Sequence, residues 1–339
     1  ILEESPERLL GLMMGCGSFV TAAAPAIGPT FGGIMTQYFT WRYIFICVLP
    51  VIVLASFIGY FCMSEQVINK HEKFDLLSFI AVALAFVSLI MGFSNLNQIV
   101  DDLVFVLGCF IIGIISLYYF TKRQLHIKNS LIRIEIFNHK GFTFHTLAIM
   151  FLQMTTLGYG LLLPTFVQIV LKQPATDAGV VLLPGAIVGA VFAPIGGLIL
   201  DRLGAKKPIV LGLCCSFIAT FCFLFFFKNL TYQSCILFYF IYSLGIGLIV
   251  GNTMTSAMSH LPKNLQADGN ATLQTLMQLS GGIGTSITAT ILAFVQQGTN
   301  LYDGTNSGAL FVLIFLMFNI NIVILSQYFA FKGGKKNEF

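Results

Sequence analysis

The chain is 339 residues long, 57% hydrophobic and 9% charged, with a formal net charge of +4. A soluble domain carries about 25% charged residues, so this composition excludes a water-solvated globule and points to an all-α protein threaded through a lipid bilayer. No nucleic-acid partner is expected. Eight cysteines form no CxxC pair and no zinc spacing with histidine, so neither metal nor disulfide is expected. No GxxxxGK[ST], HExxH or GxSxG motif is present, which argues against ATP hydrolysis and against an enzyme.

A membrane helix needs about 20 apolar residues. Ten segments qualify, at roughly 9–35, 41–63, 74–96, 101–121, 142–171, 178–200, 208–228, 234–258, 267–296 and 308–331. With the N-terminus inside, fifteen of the 18 Lys and Arg fall in cytoplasmic loops and tails, leaving Arg42, Lys172 and Lys228 outside. The asymmetry predicts a multi-pass plasma-membrane protein with both termini cytoplasmic. No acidic or basic side chain lies mid-span, which leaves His145 as the intramembrane candidate for a proton. The opening stretch "ILEESPERLL" has no apolar signal-peptide core, and the start at Ile1 reads as a cut within a longer protein.

The first segment carries "APAIGPTFGG", Ala24 to Gly33. Pro25 and Pro29 bend a helix. Gly28 and Gly32, four apart, predict a flat face on which a neighbouring backbone can press. The longer pattern is Gly15, Ala24, Gly28, Pro29, Gly32, Gly33. Between the fourth and fifth segments lies a basic loop, Thr121–Phe142, read either as a plain cytoplasmic linker or as an amphipathic segment laying Leu131, Ile132, Ile134, Ile136 and Phe137 on lipid. After the sixth segment comes "GLILDRLGAKK". Gly204 permits a tight turn there, Asp201 and Arg202 sit at a helix end, and Lys206 and Lys207 hold the loop inside. Gly197 precedes them.

The first pattern resembles the antiporter motif of the major facilitator superfamily, with Ala24 in place of the usual Gly. The following "WRYIFICVLPV" is similar to the start of the sixth helix in the fourteen-helix drug:proton antiporter branch, and "GLILDRLGAKK" resembles the superfamily's inner-loop motif. The resemblance implies a major facilitator fold with ten helices of an expected fourteen, the first four missing. Residues 1–63 would be helices five and six of the N-terminal bundle, 64–121 an inserted pair and 122–141 a cytoplasmic linker. Residues 142–331 would be the C-terminal six-helix bundle and 332–339 a tail. It implies proton-coupled efflux of small amphiphilic or cationic compounds by alternating access, with the proton gradient as energy source and no cofactor. A narrow-substrate exporter, an uptake symporter or a non-transporting remnant are the alternatives.

Polar groups inside spans face the bundle or water. His145, Gln153, Tyr159 and Gln168 in the fifth segment, Tyr242 and Asn252 in the eighth and Gln278 in the ninth are the candidates for a substrate cavity. His145 lies one turn from the basic loop and reads first as an interfacial hydrogen-bonding residue. In the ninth segment Met277 stands where the family often has Arg, so no role for that Arg carries over. "FLFFFK", Phe223–Lys228, reads as an interfacial stretch.

Overall fold

The computed structural model describes residues 13, 28–62, 75–98, 102–127 and 132–334. Within them the helices are α1, described from 28 to 38, α2 (Arg42–Cys62), α3 (Leu76–Ser94), α4 (Leu103–His126), α5 (Lys140–Ile169), α6 (Ala175–Val180), α7 (Leu183–Leu203), α8 (Lys206–Phe225), α9 (Tyr232–Ser259), α10 (Lys263–Gln296) and α11 (Leu301–Gly334). No strand occurs among the described residues. Nine spans there are long and apolar enough to cross a membrane, α6 and α7 counting as one. The break between α6 and α7 falls at Val181 and Leu182, just before Pro184 opens α7. Proline suits the first turn of a helix, where its missing N–H is not needed.

Small residues decide which helices meet. A Cβ on Gly189 of α7 would sit 2.8 Å from the Ser243 carbonyl of α9, and one on Gly247 of α9 would sit 2.2 Å from the Gly189 carbonyl. Two residues away, Gly245 turns to α8, where a Cβ would lie 2.5 Å from the Gly212 carbonyl. α9 is therefore wedged between α7 and α8, with backbones close enough for direct dispersion contact. In lipid this packing replaces the hydrophobic drive of a soluble core. Gly284 does the same for α10 against α5, meeting the Met154 backbone at 2.6 Å. α5 packs on α11 through Gly158 against Leu316, and Phe144 stacks on Phe329.

α3 and α4 form a hairpin fastened at its lysine-rich end. Arg123 of α4 donates from Nε to Asp75 Oδ2 at 2.9 Å and from Nη2 to Asp75 Oδ1 at 2.9 Å. Asp75 also caps α3, accepting from Ser78. Gln124 is buried beside this pair and donates to Ser78 Oγ at 2.7 Å. The hairpin docks on α10: Ser94 Oγ meets Ser286 Oγ at 2.8 Å, and Thr290 Oγ1 donates to the Phe93 carbonyl at 2.8 Å.

Among the described residues of the basic loop, Ile136 does not lie on lipid. α4 runs on to His126, α5 starts at Lys140, and a 3₁₀ turn spans Ile134–Asn138. Ile136 is wholly buried, in a cluster with Phe142, Ile149, Met258, Leu265 and Leu273. Arg133 Nε pairs with Asp268 Oδ2 on α10 at 3.2 Å. A buried isoleucine surrounded by the ends of α5, α9 and α10 is better placed than at the headgroup level, where half its surface would meet water. Leu131 lies outside the described residues.

Candidate functional site

Three polar or small-residue features sit at different depths of the bundle. The first joins α1 to α6. A Cβ on Gly33 would lie 2.6 Å from the Ala175 carbonyl, and one on Gly179 would lie 2.4 Å from the Pro29 carbonyl. Thr30 Oγ1 donates to the Gly179 carbonyl at 3.1 Å, and the Thr176 N–H donates to Gln37 Oε1 at 2.9 Å. This close face runs through Pro29 and Gly33, while Gly28 and Gly32 meet nothing within 4 Å among the described residues of this chain. One residue of shift rotates a helix by about 100°, enough to move contact from one face to the next. Gly15, Ala24 and Pro25 lie outside the described residues.

The second is an aromatic and hydroxyl core. Tyr159 of α5 and Tyr242 of α9 are both 0% exposed, with ring centroids 4.8 Å apart. Thr156 Oγ1 donates to the Leu152 carbonyl at 2.9 Å, so its only hydrogen is used. Tyr242 OH is then the donor in the 2.9 Å contact with Thr156 Oγ1. Tyr159 OH donates to Thr220 Oγ1 of α8 at 3.1 Å, and Thr220 donates in turn to the Ser216 carbonyl at 2.9 Å. Phe223 and Tyr239 close the group, their rings 5.3 and 6.2 Å from Tyr159. Phe223 is thus a core residue and not part of an interfacial stretch; Phe225, two positions on, is 71% exposed. Helical periodicity from Ala219 and Thr220 to Phe223 was the available signal.

The third lies at the lysine-rich end. His145 of α5 is fully buried, and its Nε2 is 3.0 Å from Ser256 Oγ of α9. The His260 ring stands 5.4 Å away, its Nδ1–H donating to the Ser256 carbonyl at 2.7 Å. Gln327 of α11 donates to Thr253 Oγ1 of α9 at 3.1 Å. These bonds tie α5, α9 and α11 together around His145. Ser256 with His260, and Gln327, were not legible as partners of His145, because they come from the end of α9 and from α11, each more than 100 residues from it in sequence.

The remaining candidates divide by exposure. Asn252 is buried against Gly196 and donates to the Leu248 carbonyl of its own helix at 2.7 Å. Gln153 is half-buried on α5 beside Gly281 of α10. Gln278, three residues before Gly281, is exposed, and so is Gln168 at the far end of α5. Tyr159, Tyr242 and Asn252 therefore present almost no surface to a ligand here, while Gln153 lies on the α5–α10 seam and Gln278 is exposed on α10. Asn319 is buried in α11, with both amide atoms unpaired. In the turn between α7 and α8, Gly204 has φ +79°, a left-handed conformation that a side chain rarely adopts. Gly197 is buried in α7, and Asp201, Arg202, Lys206 and Lys207 are exposed around the turn.

Apolar helices of membrane length, joined closely through glycine, define a polytopic membrane bundle. Residues 1–285 match the Major Facilitator Superfamily, and the chain belongs to that family. It is 32% identical over 302 residues to the lincomycin resistance protein LmrB of Bacillus subtilis strain 168, covering 87% of this chain and 62% of that protein. The protein of the same name from Listeria monocytogenes is 30% identical over 292 residues, covering 86% of this chain and 62% of its own length. The tetracenomycin C resistance and export protein of Streptomyces glaucescens is 24% identical over 294 residues, 85% of this chain and 54% of that protein. The chain thus spans less than two thirds of the length of these relatives. A bacterial homologue of the human lysosomal transporter Spinster, solved inward-facing and occupied, covers 98% of this chain at 13% identity and a TM-score of 0.46, too loose a likeness to compare elements.

Proposed function

We propose that these helices work within a proton-coupled exporter of drugs and other toxic amphiphiles, of the fourteen-helix drug:proton antiporter kind, in the plasma membrane with both termini cytoplasmic. The observation that carries the reading is the backbone-to-backbone seam of Gly33 on Ala175 and of Gly179 on Pro29. With the lysine-rich end inside, this seam closes the outer end of the molecule. A contact made by main chain leaves no side-chain gap for ions to leak through, and it opens as a unit when one bundle rocks against the other. The relatives named for lincomycin and tetracenomycin C resistance support an exported, bulky, amphiphilic substrate.

Within that cycle Gln153 on the α5–α10 seam and Gln278 on α10 supply uncharged hydrogen-bonding groups, suited to substrates of varied shape. The aromatic core behind them keeps α5, α8 and α9 together while the seam moves. His145 is a buried titratable group near the inner end, and its bond to Ser256 of α9 makes it a positioning residue there.

Efflux of ethidium and lincomycin from energised cells expressing the intact coding sequence tests the proposal. Export that stops on adding a protonophore, and that is lost in Gly33→Leu, is the expected result. Export indifferent to the protonophore overturns the coupling, and net accumulation overturns the direction in favour of uptake. Efflux of a single compound class alone marks a narrow-substrate exporter.

A further inference from the structure

A groove of about 660 Å³ runs between α8 and α11 on the outside of the bundle, away from the α5–α10 seam. Phe217, Ile218, Ile324 and Phe331 form its walls, and Lys206 and Lys332 stand at its mouth. They are its only charged lining residues, and neither makes an ion pair among the described residues. Lys206 is the first residue of α8, which begins without a side-chain cap, so the positive end of that helix adds to the same mouth. Gln327, which also belongs to the cluster around His145, lines the floor of the groove and is 1% exposed.

Depth selects the occupant. From Lys206 to Ile218 is twelve residues along α8, about 18 Å at 1.5 Å each. Half of a hydrocarbon core is about 15 Å. The groove is therefore one leaflet deep, apolar along its length and cationic only where the headgroups lie. A free phosphate or a soluble nucleotide would use the two lysines and leave the apolar length empty. A zwitterionic lipid would fill the length but bring an ammonium to the lysines. We propose that this groove is a binding site for an anionic phospholipid of the leaflet on the lysine-rich side, its phosphodiester held between Lys206 and Lys332 and one acyl chain laid along Phe217 and Ile324. An annular lipid would be exchanged without regard to headgroup; this one is chosen by charge. Bound there, it bridges α8 and α11 across the face opposite the transport seam.

The test uses the purified full-length chain, delipidated in detergent and titrated with phosphatidylglycerol or phosphatidylcholine, with bound lipid counted by native mass spectrometry. The expected result is one phosphatidylglycerol retained in preference to phosphatidylcholine. Lys206→Gln and Lys332→Gln should each lower that preference about fivefold, and the double variant about 25-fold, following the usual effect of one lysine at an anionic surface. Both lysines are exposed, so the fold is not at stake. Cys214→Trp, which fills the groove without touching its charge, should lower retention of both lipids and leave their ratio unchanged. Equal retention of the two lipids by the wild type overturns the proposal, as does a preference that survives the double variant. Displacement of phosphatidylglycerol by equimolar glycerol phosphate also overturns it, because the site would then read a free phosphate.

Discussion

α2 and α9 are both apolar helices of membrane length, and α2 is the more apolar of the two. Yet against the rest of this chain, which spans 62% of the length of its LmrB relatives, none of the α2 window is buried, whereas half of the α9 window is. In a soluble protein the order would be reversed, since the more apolar helix would seek the core. Lipid is as apolar as leucine, so hydrophobicity places a helix in the bilayer without saying what it touches. α9 carries Gly245, Gly247, Gly251, Ser243, Asn252 and Ser256 on a helix that α5, α7 and α8 pack against. α2 carries a single glycine, Gly59, and a Cβ there would meet nothing within 4 Å in this chain.

The same side chain placed at a glycine of each helix should affect the two very differently. In Gly247→Leu the new Cβ would stand 2.2 Å from the Gly189 carbonyl, and a backbone atom cannot swing aside. Overpacking of this kind costs at least about 1–3 kcal/mol. Detergent-purified protein should melt at least about 2 °C lower, or fail to elute as a single species. Gly59→Leu should leave the melting curve where it was. If both variants melt alike, close backbone approach is not what holds α9.

The α1–α6 seam offers the same contrast within one motif, at a smaller scale. Gly179→Leu would drive a Cβ to within 2.4 Å of the Pro29 carbonyl, whereas Gly28→Leu enters open space. The first should weaken export strongly and lower stability by about 1–2 kcal/mol, because only one short helix must shift. The second should leave both unchanged. Resistance to lincomycin and thermal melts of the two variants decide it.

These contrasts also mark how far the sequence could be read. The spans were legible because an apolar run of about 20 residues between charged loops fits a bilayer and little else. The glycine motifs were legible because their spacing is rare. The face that each glycine uses was not. Gly28 and Gly32 share a face, but α6 comes against Pro29 and Gly33, and only the position of α6 shows that. The same holds for the polar candidates. Tyr159 and Tyr242 are visible as mid-span hydroxyls, but Thr156 and Thr220, which satisfy them, look like ordinary helix residues until α5, α8 and α9 are brought together. Ile136 was misplaced for a related reason: an apolar run beside lysines fits a bilayer surface and a buried turn equally well.

Replacing one of those hydroxyls should have a modest effect. Tyr242→Phe removes the donor to Thr156 Oγ1, while Thr156 keeps its bond to the Leu152 carbonyl. Hydrogen bonds between membrane helices are worth about 0.6 kcal/mol on average and about 1.7 at most. The melting temperature should fall by a degree or two, with the ring packing on Tyr159 retained. A large loss would mean that the aromatic core depends on that bond more than on its packing.

The smallest effect belongs to the hairpin, which unlike α9 is fastened by charge. The Arg123 guanidinium holds the Asp75 carboxyl well below its ordinary value of 3.8, with help from Ser78. A group depressed in the folded state contributes stability that is complete above its unfolded value and fades as the pH falls towards the folded one. The clamp should therefore be constant from pH 8 to about pH 5 and weaken only below about pH 4. Asp75→Asn separates the charge from the cap, because asparagine caps a helix as well as aspartate does. At pH 7 the variant should melt slightly below the wild type, since a partly exposed ion pair is screened by water and salt. The difference should shrink as the pH drops through the acid range. A difference that persists unchanged at pH 3 would show that Asp75 acts through its geometry at the start of α3 and not through its charge on Arg123.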